Sequence, residues 1–312
     1  MKNYNEAKGR NQVVKNFSAS CVSEKMQKRI SECGNWLDFI ADWPVEKLKL
    51  AASNFCKWRF CPLCAMRKAR VDALRISVLM AYIAETCRKS FIFVTLTAPN
   101  VKAGELPREV TRYNKAYWAF MRREEISPIC HGYVRKLEIT YNRERGDYHP
   151  HFHVVIAVNS SYFKSRAYIK QTRWLDLWRE CMGDWTITQV DVRAVKPKAD
   201  AKELSNGFNA SEFAKYAAKD EDFTHSAEVF DAFYAALKGR QHLTYSGLFA
   251  AANKKYKAGE LDEYIKADNT AYYWQVVYTW KGLAYKENKR RALDEADKIF
   301  LANKGIDTEL VD

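Results

Sequence analysis

His149-Pro150-His151-Phe152-His153-Val154-Val155-Ile156 is the stretch on which the reading of this chain turns. Alternate side chains of an extended strand leave the same side, so His151 and His153 project together while Phe152 faces the opposite layer. Two imidazoles at that separation are a donor pair for one cation.

The preceding segment supplies a carboxylate. Tyr133–Tyr141 reads as a second strand, joined to His151–Val158 by a turn at Gly146-Asp147, and it contains Arg135-Lys136-Leu137-Glu138-Ile139-Thr140. A hairpin closed there sets Glu138 nearly opposite His151 or His153, facing the same side. Two histidines and one carboxylate make an open site with room for substrate oxygens and water.

Outward from this hairpin the chain alternates. Phe91–Thr97 is β-branched and aromatic, a short buried strand closed by Pro99-Asn100. Pro107 suits the first turn of a helix running to about Arg123. Val71, Leu74, Val78, Ala81 and Tyr82 recur at helical spacing within a long helix from Ala65 to Cys87. A short helix is expected at Trp36–Trp43, a longer one at Ser165–Cys181 and a strand at Thr186–Val195. Strands and helices in this order, with an antiparallel hairpin, predict an α+β fold: an antiparallel central sheet flanked by helices. The expected division is an N-terminal segment with a cysteine knuckle (1–65), a central domain (66–225) and a basic, helix-rich C-terminal extension (226–312) ending in a loose acidic tail.

A second constellation lies at Ser211-Glu212-Phe213-Ala214-Lys215-Tyr216-Ala217-Ala218-Lys219, a helix capped by Ser211. Glu212 and Tyr216 are four apart and share a face, with Lys219 three residues further on. A tyrosine hydroxyl attacking a phosphodiester must lose its proton and have its developing phenolate stabilised, which a cation and a lysine can do. A carboxylate one turn away can activate water for a second cleavage.

The third is Cys56-Lys57-Trp58-Arg59-Phe60-Cys61-Pro62-Leu63-Cys64. Thiolates at this spacing suit tetrahedral zinc, with a fourth ligand from Cys33 or Cys21. Cys87, Cys130 and Cys181 stand singly in apolar surroundings and read as core. Trp58 and Arg59, followed by Arg67, Lys68 and Arg70, make a basic and aromatic surface suited to DNA backbone and bases, and Lys215 joins the same set of DNA contacts.

Composition agrees with a polyanionic partner. Lys and Arg number 51 against 38 Asp and Glu, a formal net charge of +13, and each neutralised phosphate releases condensed counterions. The N-terminus lacks the apolar stretch of a signal peptide, and no run of about 18 apolar residues predicts a membrane span. The expected location is cytoplasmic, where eight cysteines indicate metal rather than disulfides.

Phe93-Val94-Thr95-Leu96-Thr97, His149-Pro150-His151-Phe152-His153 and Tyr216-Ala217-Ala218-Lys219 follow one another in that order. Together they resemble the three motifs of the HUH endonucleases, in particular the Rep initiators of small rolling-circle plasmids, over a span from about Cys33 to near Leu248. The resemblance implies that His151, His153 and an acid, here Glu138, bind Mg²⁺ or Mn²⁺. It implies that Tyr216 becomes linked to the 5′ phosphate and leaves a free 3′-OH, and that Glu212 serves the terminating hydrolysis, with Lys219 assisting. It favours Cys33 as the fourth Zn²⁺ ligand and implies plasmid origin DNA, a host helicase and a host polymerase as partners, with room for a homo-oligomer. A related transposase or relaxase and a non-enzymatic zinc DNA-binding regulator are the competing readings. The helix-borne His-Glu-x-x-His signature of hydrolytic zinc enzymes is absent.

Overall fold

A computed structural model of the chain describes residues 1–195, 220–265 and 267–297. In chain order its main elements are α1 (Lys2–Phe17), α2 (Glu24–Glu32), β1 (Trp36–Ala41), β2 (Leu48–Ser53), α3 (Pro62–Thr86), β3 (Lys89–Thr97), α4 (Leu106–Met121), β4 (Gly132–Asn142), β5 (Asp147–Asn159), α5 (Gln171–Met182), β6 (Val190–Ala194), α6 (Ala227–Leu237), β7 (Leu243–Tyr245), α7 (Gly247–Lys257), β8 (Trp274–Trp280) and β9 (Tyr285–Ala292). The fold is α+β, with two antiparallel sheets flanked by helices. Among the described residues, 1–71, 224–230 and 267–297 form one compact unit, and 72–195, 220–223 and 231–265 the other. The units interleave along the chain, unlike three consecutive segments.

The larger unit holds a five-stranded sheet in the order β6-β3-β5-β4-β7. β5 is its central strand and is buried almost throughout. One face presents Phe152, Val154 and Ile156 to the aromatic side chains of α4 and α5. Phe152 lies 5.5 Å from Tyr113 and 5.4 Å from Tyr117, both edge-on, and Tyr113 meets Trp178 at 5.6 Å. Arg135, across the pair from Val154, sets its guanidinium against the rings of both Tyr117 and Phe152, at 4.7 and 4.3 Å, a desolvated cation held by ring quadrupoles.

The other face changes character along its length. Four cross-strand rows run Phe91–Ala157–Gly132, Phe93–Val155–Val134, Thr95–His153–Lys136 and Thr97–His151–Glu138. The apolar rows pack with Ile76, Leu79, Met80 and Ile83 of α3 and with Phe249 and Ala252 of α7. The polar rows lie at the other end. Gly132 and Gly247 make the α7 approach feasible: both have positive φ (151° and 53°), and a Cβ on Gly132 would sit 2.5 Å from the Leu248 nitrogen.

The smaller unit holds a four-stranded sheet in the order β2-β1-β8-β9. Trp36–Ala41, expected as helix, is the strand β1. Its alternation buries Leu37, Phe39 and Ala41 on one side, where Tyr4 and Tyr278 meet Phe39 edge-on at 5.7 and 5.9 Å, and cross-strand burial overrides helix propensity. The polar N-terminus, for which no long element was expected, forms α1 and α2. Ser23 caps α2 by accepting a hydrogen bond from the Met26 amide at 3.4 Å.

The C-terminal region is not purely helical. Beside α6 and α7 it supplies β7 to the larger sheet and the β8–β9 hairpin to the smaller, because Trp274-Gln275-Val276-Val277-Tyr278-Thr279-Trp280 is aromatic and β-branched. The acidic tail from 298 onward lies outside the described residues.

Truncating Phe152 to Ala empties the ring stack behind the two histidines. Urea unfolding of Phe152→Ala should show a loss of about 3–5 kcal/mol. A loss under about 1 kcal/mol would mean that the α4 and α5 layer closes over the gap.

Candidate functional site

The hairpin register sets Glu138 directly opposite His151, with His153 one row further along the same face. All three side chains are buried and offer ligand atoms within 4.8 Å of one another. Glu138 Oε2 lies 3.6 Å from His151 Nε2 and 3.3 Å from His153 Nε2. The two imidazoles meet edge-on, centroids 4.7 Å apart, and Phe93 stacks on His153 at 5.6 Å.

The far nitrogens are engaged. His151 Nδ1 lies 3.2 Å from the His149 carbonyl oxygen, and His153 Nδ1 lies 3.2 Å from the Thr95 hydroxyl. A carbonyl only accepts, so the first contact requires the proton on Nδ1, and the neutral form of the ring then turns its Nε2 lone pair toward Glu138. Glu138 Oε2 accepts no hydrogen bond of good geometry from the described residues. Lone pairs converging on a buried carboxylate oxygen need a positive charge among them, and a cation meets that need.

The ionisation of the groups agrees with that donor set. Burial pushes the Glu138 carboxyl up, but His151, His153 and the Lys136 ammonium pull it down further, to about 2. Burial holds His153 below the usual imidazole value despite the pull of Glu138. Ionised carboxylate and neutral imidazole are the ligating forms. Lys136, half-buried beside His153, is lowered to about 8 by desolvation, against the attraction of Glu138 and Asp72.

Sequence reasoning passed over Lys136 and Thr95. Strand alternation could have found Lys136, which stands two residues from Glu138, whereas Thr95 lies on β3 and joins this face only through its pairing with His153.

The smaller unit carries a second cluster. Cys33 follows α2, Cys56 follows β2, Cys61 precedes α3 and Cys64 lies in its first turn. The sulfurs of Cys33 and Cys64, Cys56 and Cys64, and Cys33 and Cys61 are 3.6, 3.7 and 3.6 Å apart. A tetrahedron with metal–sulfur bonds of about 2.3 Å has edges of about 3.8 Å, so the four thiols already stand at the vertices such an ion requires. Without an ion, hydrogen bonds from Cys56, Cys61 and Cys64 hold the Cys33 thiol well below the usual range.

The surroundings are built for negative charge. The Cys56 amide donates to Cys33 Sγ at 3.3 Å, and the Asn11 side chain donates to Cys61 Sγ at 3.3 Å. Fully buried Lys8 donates to the Cys33 carbonyl at 2.6 Å and to Asn35 Oδ1 at 2.9 Å. Of the two candidates for the fourth ligand, Cys33 joins the cluster; Cys21 stands elsewhere, beside Ser20.

Other expectations need correction. Trp58 is fully buried against Phe60 and Phe230, at 5.3 and 6.1 Å, so it presents no ring to a base. Its place inside a short cysteine loop turns it inward to supply the core that the loop lacks. Arg67 is also buried, its guanidinium 3.6 Å above the Phe55 ring. Arg59 and Lys68 are half-buried and Arg70 is exposed. Cys87, Cys130 and Cys181 are half-buried rather than core, and Cys181 accepts from Arg123 Nε at 3.3 Å. Glu212, Lys215, Tyr216 and Lys219 lie outside the described residues. No helix among the described residues is long and apolar enough to cross a membrane.

Comparison with known proteins is consistent across most of the chain. Protein rep of Staphylococcus aureus is 47% identical over 224 residues, which cover 72% of this chain and 95% of that protein. Protein rep of Bacillus amyloliquefaciens is 33% identical over 260 residues, covering 76% and 75%. Protein rep of a Bacillus species is 34% identical over 269 residues, covering 79% and 85%. No solved structure matches the chain. The sequence profile of the replication protein family matches residues 47–290, a span that takes in the Glu138–His151–His153 centre and three of the four clustered cysteines, and the chain belongs to that family.

Proposed function

We propose that this chain is a rolling-circle plasmid replication initiator of the HUH endonuclease type, which nicks one strand of the origin through Tyr216. The observation that carries the reading is the convergence of Glu138, His151 and His153 on one buried point, in a chain of the replication protein family. Mg²⁺ or Mn²⁺ at that point supplies Lewis-acid polarisation of the scissile phosphate. Glu138, His151 and His153 hold the ion, while Thr95 and the His149 carbonyl orient the two imidazoles. The Tyr216 hydroxyl oxygen forms a bond to phosphorus as the bond from phosphorus to the 3′ oxygen breaks. The phenolic proton leaves to solvent, and the leaving oxygen takes up a proton to become the free 3′-OH. Lys219 stabilises the phenolate, and Glu212 activates water for the terminating cleavage. Zn²⁺ at Cys33, Cys56, Cys61 and Cys64 is structural, since four thiolates leave no position for substrate.

Replacing a ligand and replacing its orienting partner should differ in degree. His151→Ala and His153→Ala should each lose more than about 100-fold in nicking with Mn²⁺, and Thr95→Val about 10–100-fold, the range usual for an orienting partner. Nicking of supercoiled origin plasmid reads all three. Wild-type rates in both histidine variants would place the chemistry elsewhere, and an inert wild type would favour the non-enzymatic regulator.

Tyr216→Phe removes only a hydroxyl, so it should bind origin DNA and form no covalent adduct. Glu212→Ala should still form the adduct but fail to terminate, accumulating products longer than one plasmid unit. Equal loss of both activities in Glu212→Ala would remove the division of labour between Glu212 and Tyr216.

Elemental analysis should find about one zinc per chain. Cys56→Ser should lose it together with protease resistance of the smaller unit. A fully folded, zinc-free protein purified without chelators would exclude a structural zinc.

A further inference from the structure

The four-stranded sheet of the smaller unit has two unlike faces. Directly opposed residues of antiparallel strands share a face, so the register sorts the side chains into rows. One face carries Leu37–Tyr278–Glu287, Phe39–Val276–Arg290 and Ala41–Trp274–Ala292, and α1 packs on it through Tyr4. The other carries Trp36–Thr279–Lys286, Asp38–Val277–Lys289 and Ile40–Gln275–Arg291.

Lys286 and Lys289 are three residues apart and would point to opposite sides of a regular strand. The register shift between Val277 and Tyr278, with Asn288 as the extra residue, brings them to one side in line with Arg291. All three side chains are exposed. The carboxylate in these rows, Asp38, accepts from the Gln275 amide at 2.6 Å, and Gln275 accepts in turn from Arg291, which also pairs with Asp297. Lys286 and Lys289 carry no ion pair among the described residues.

We propose that this face of the sheet grips the sugar–phosphate backbone of duplex origin DNA through Lys286, Lys289 and Arg291. The inference rests on the replication-initiator reading and adds a binding surface on a unit other than the one holding Glu138, His151 and His153. Charge complementarity selects the partner: Lys286, Lys289 and Arg291 share this face with one carboxylate in its rows, Asp38, and with Asp297 on Arg291, in a chain of net charge +13. A docked protein fits poorly, because the centres of protein interfaces are depleted in lysine. β9 is also an edge strand, where lysines deter aggregation. That role needs charge anywhere along the strand and does not explain a bulge that gathers the cations on one face.

The test compares two charge-matched variants of the full, zinc-loaded chain. Lys286→Ala/Lys289→Ala removes the cations from β9, and Lys25→Ala/Lys28→Ala removes two exposed cations from α2 of the same unit. Affinity for origin duplex is measured across a salt series. The β9 variant should bind more weakly, with a log–log salt slope smaller by about 2, since each lost phosphate contact removes about 0.9. Lys286→Gln/Lys289→Gln, which keeps the side-chain stems, should match it, and the α2 variant should keep the wild-type slope. An unchanged slope in the β9 variant overturns the proposal, as does an equal loss in the α2 variant or aggregation of the β9 variant at unchanged affinity. Cleavage of a single-stranded nick-site oligonucleotide by the wild type is followed alongside. A wild type that binds duplex through β9 yet never cleaves would sink the nuclease reading and leave the binding face standing.

Discussion

A strand buried on both faces has no solvent to give its polar side chains, and β5 is such a strand. Its imidazoles must therefore be satisfied by the neighbouring strands or by an ion. The ladder does the first part: Thr95 and the His149 carbonyl each hold one ring nitrogen. Glu138, fixed opposite His151 by an eleven-pair register, brings the negative charge. The rest of the larger unit protects this arrangement. The Tyr113, Tyr117 and Phe152 rings and the Arg135 guanidinium against them fill the layer behind β5. The α3 and α7 side chains Ile76, Leu79, Met80, Ile83, Phe249 and Ala252 cover the apolar rows of the front face.

The smaller unit solves a different problem, that of a small sheet with little apolar mass. Its cysteine cluster draws α2, β2 and α3 to one point. The chain between Cys33 and Asn35 is then held from two sides. Lys8 of α1 grips the Cys33 carbonyl and the Asn35 side chain, while β8 and β9 reach it through the Trp280 amide on the Asn35 carbonyl and the Tyr285 hydroxyl on the Gly34 carbonyl. Gly34 has φ of 65°, and a Cβ there would lie 2.7 Å from Leu63, so both backbone and space demand glycine. Disrupting the cysteine cluster would thus loosen the far hairpin as well as the loop.

Much of this was legible in sequence where periodicity and chemistry coincide. The His151–Phe152–His153 alternation and the Gly146 turn place the carboxylate and both imidazoles correctly, because side chains two apart share a face and the turn fixes which residues stand opposite. The Cys56–Cys64 spacing is legible for the same reason: few geometries satisfy it. Residues whose fate depends on long-range packing were not legible. Trp58 resembles a nucleic-acid contact until Phe230, far along the chain, closes over it. Trp36–Ala41 pairs on one edge with nearby β2, but the partner on its other edge begins at Trp274.

That distant pairing has a consequence for how the chain is made. β1 hydrogen-bonds to β8, with Trp36 opposite Thr279, so the smaller sheet stays incomplete until β8 has left the ribosome. At translation rates of about 5–20 residues per second, β1 waits roughly 12–50 s for its neighbour. The larger unit closes its β3–β5–β4 core from neighbouring stretches of sequence and can fold during that wait. Contacts of such high sequence separation are slow to form and leave strand edges open meanwhile. The cysteine cluster, whose four ligands all emerge within the first 64 residues, gives the waiting segment an early, local anchor.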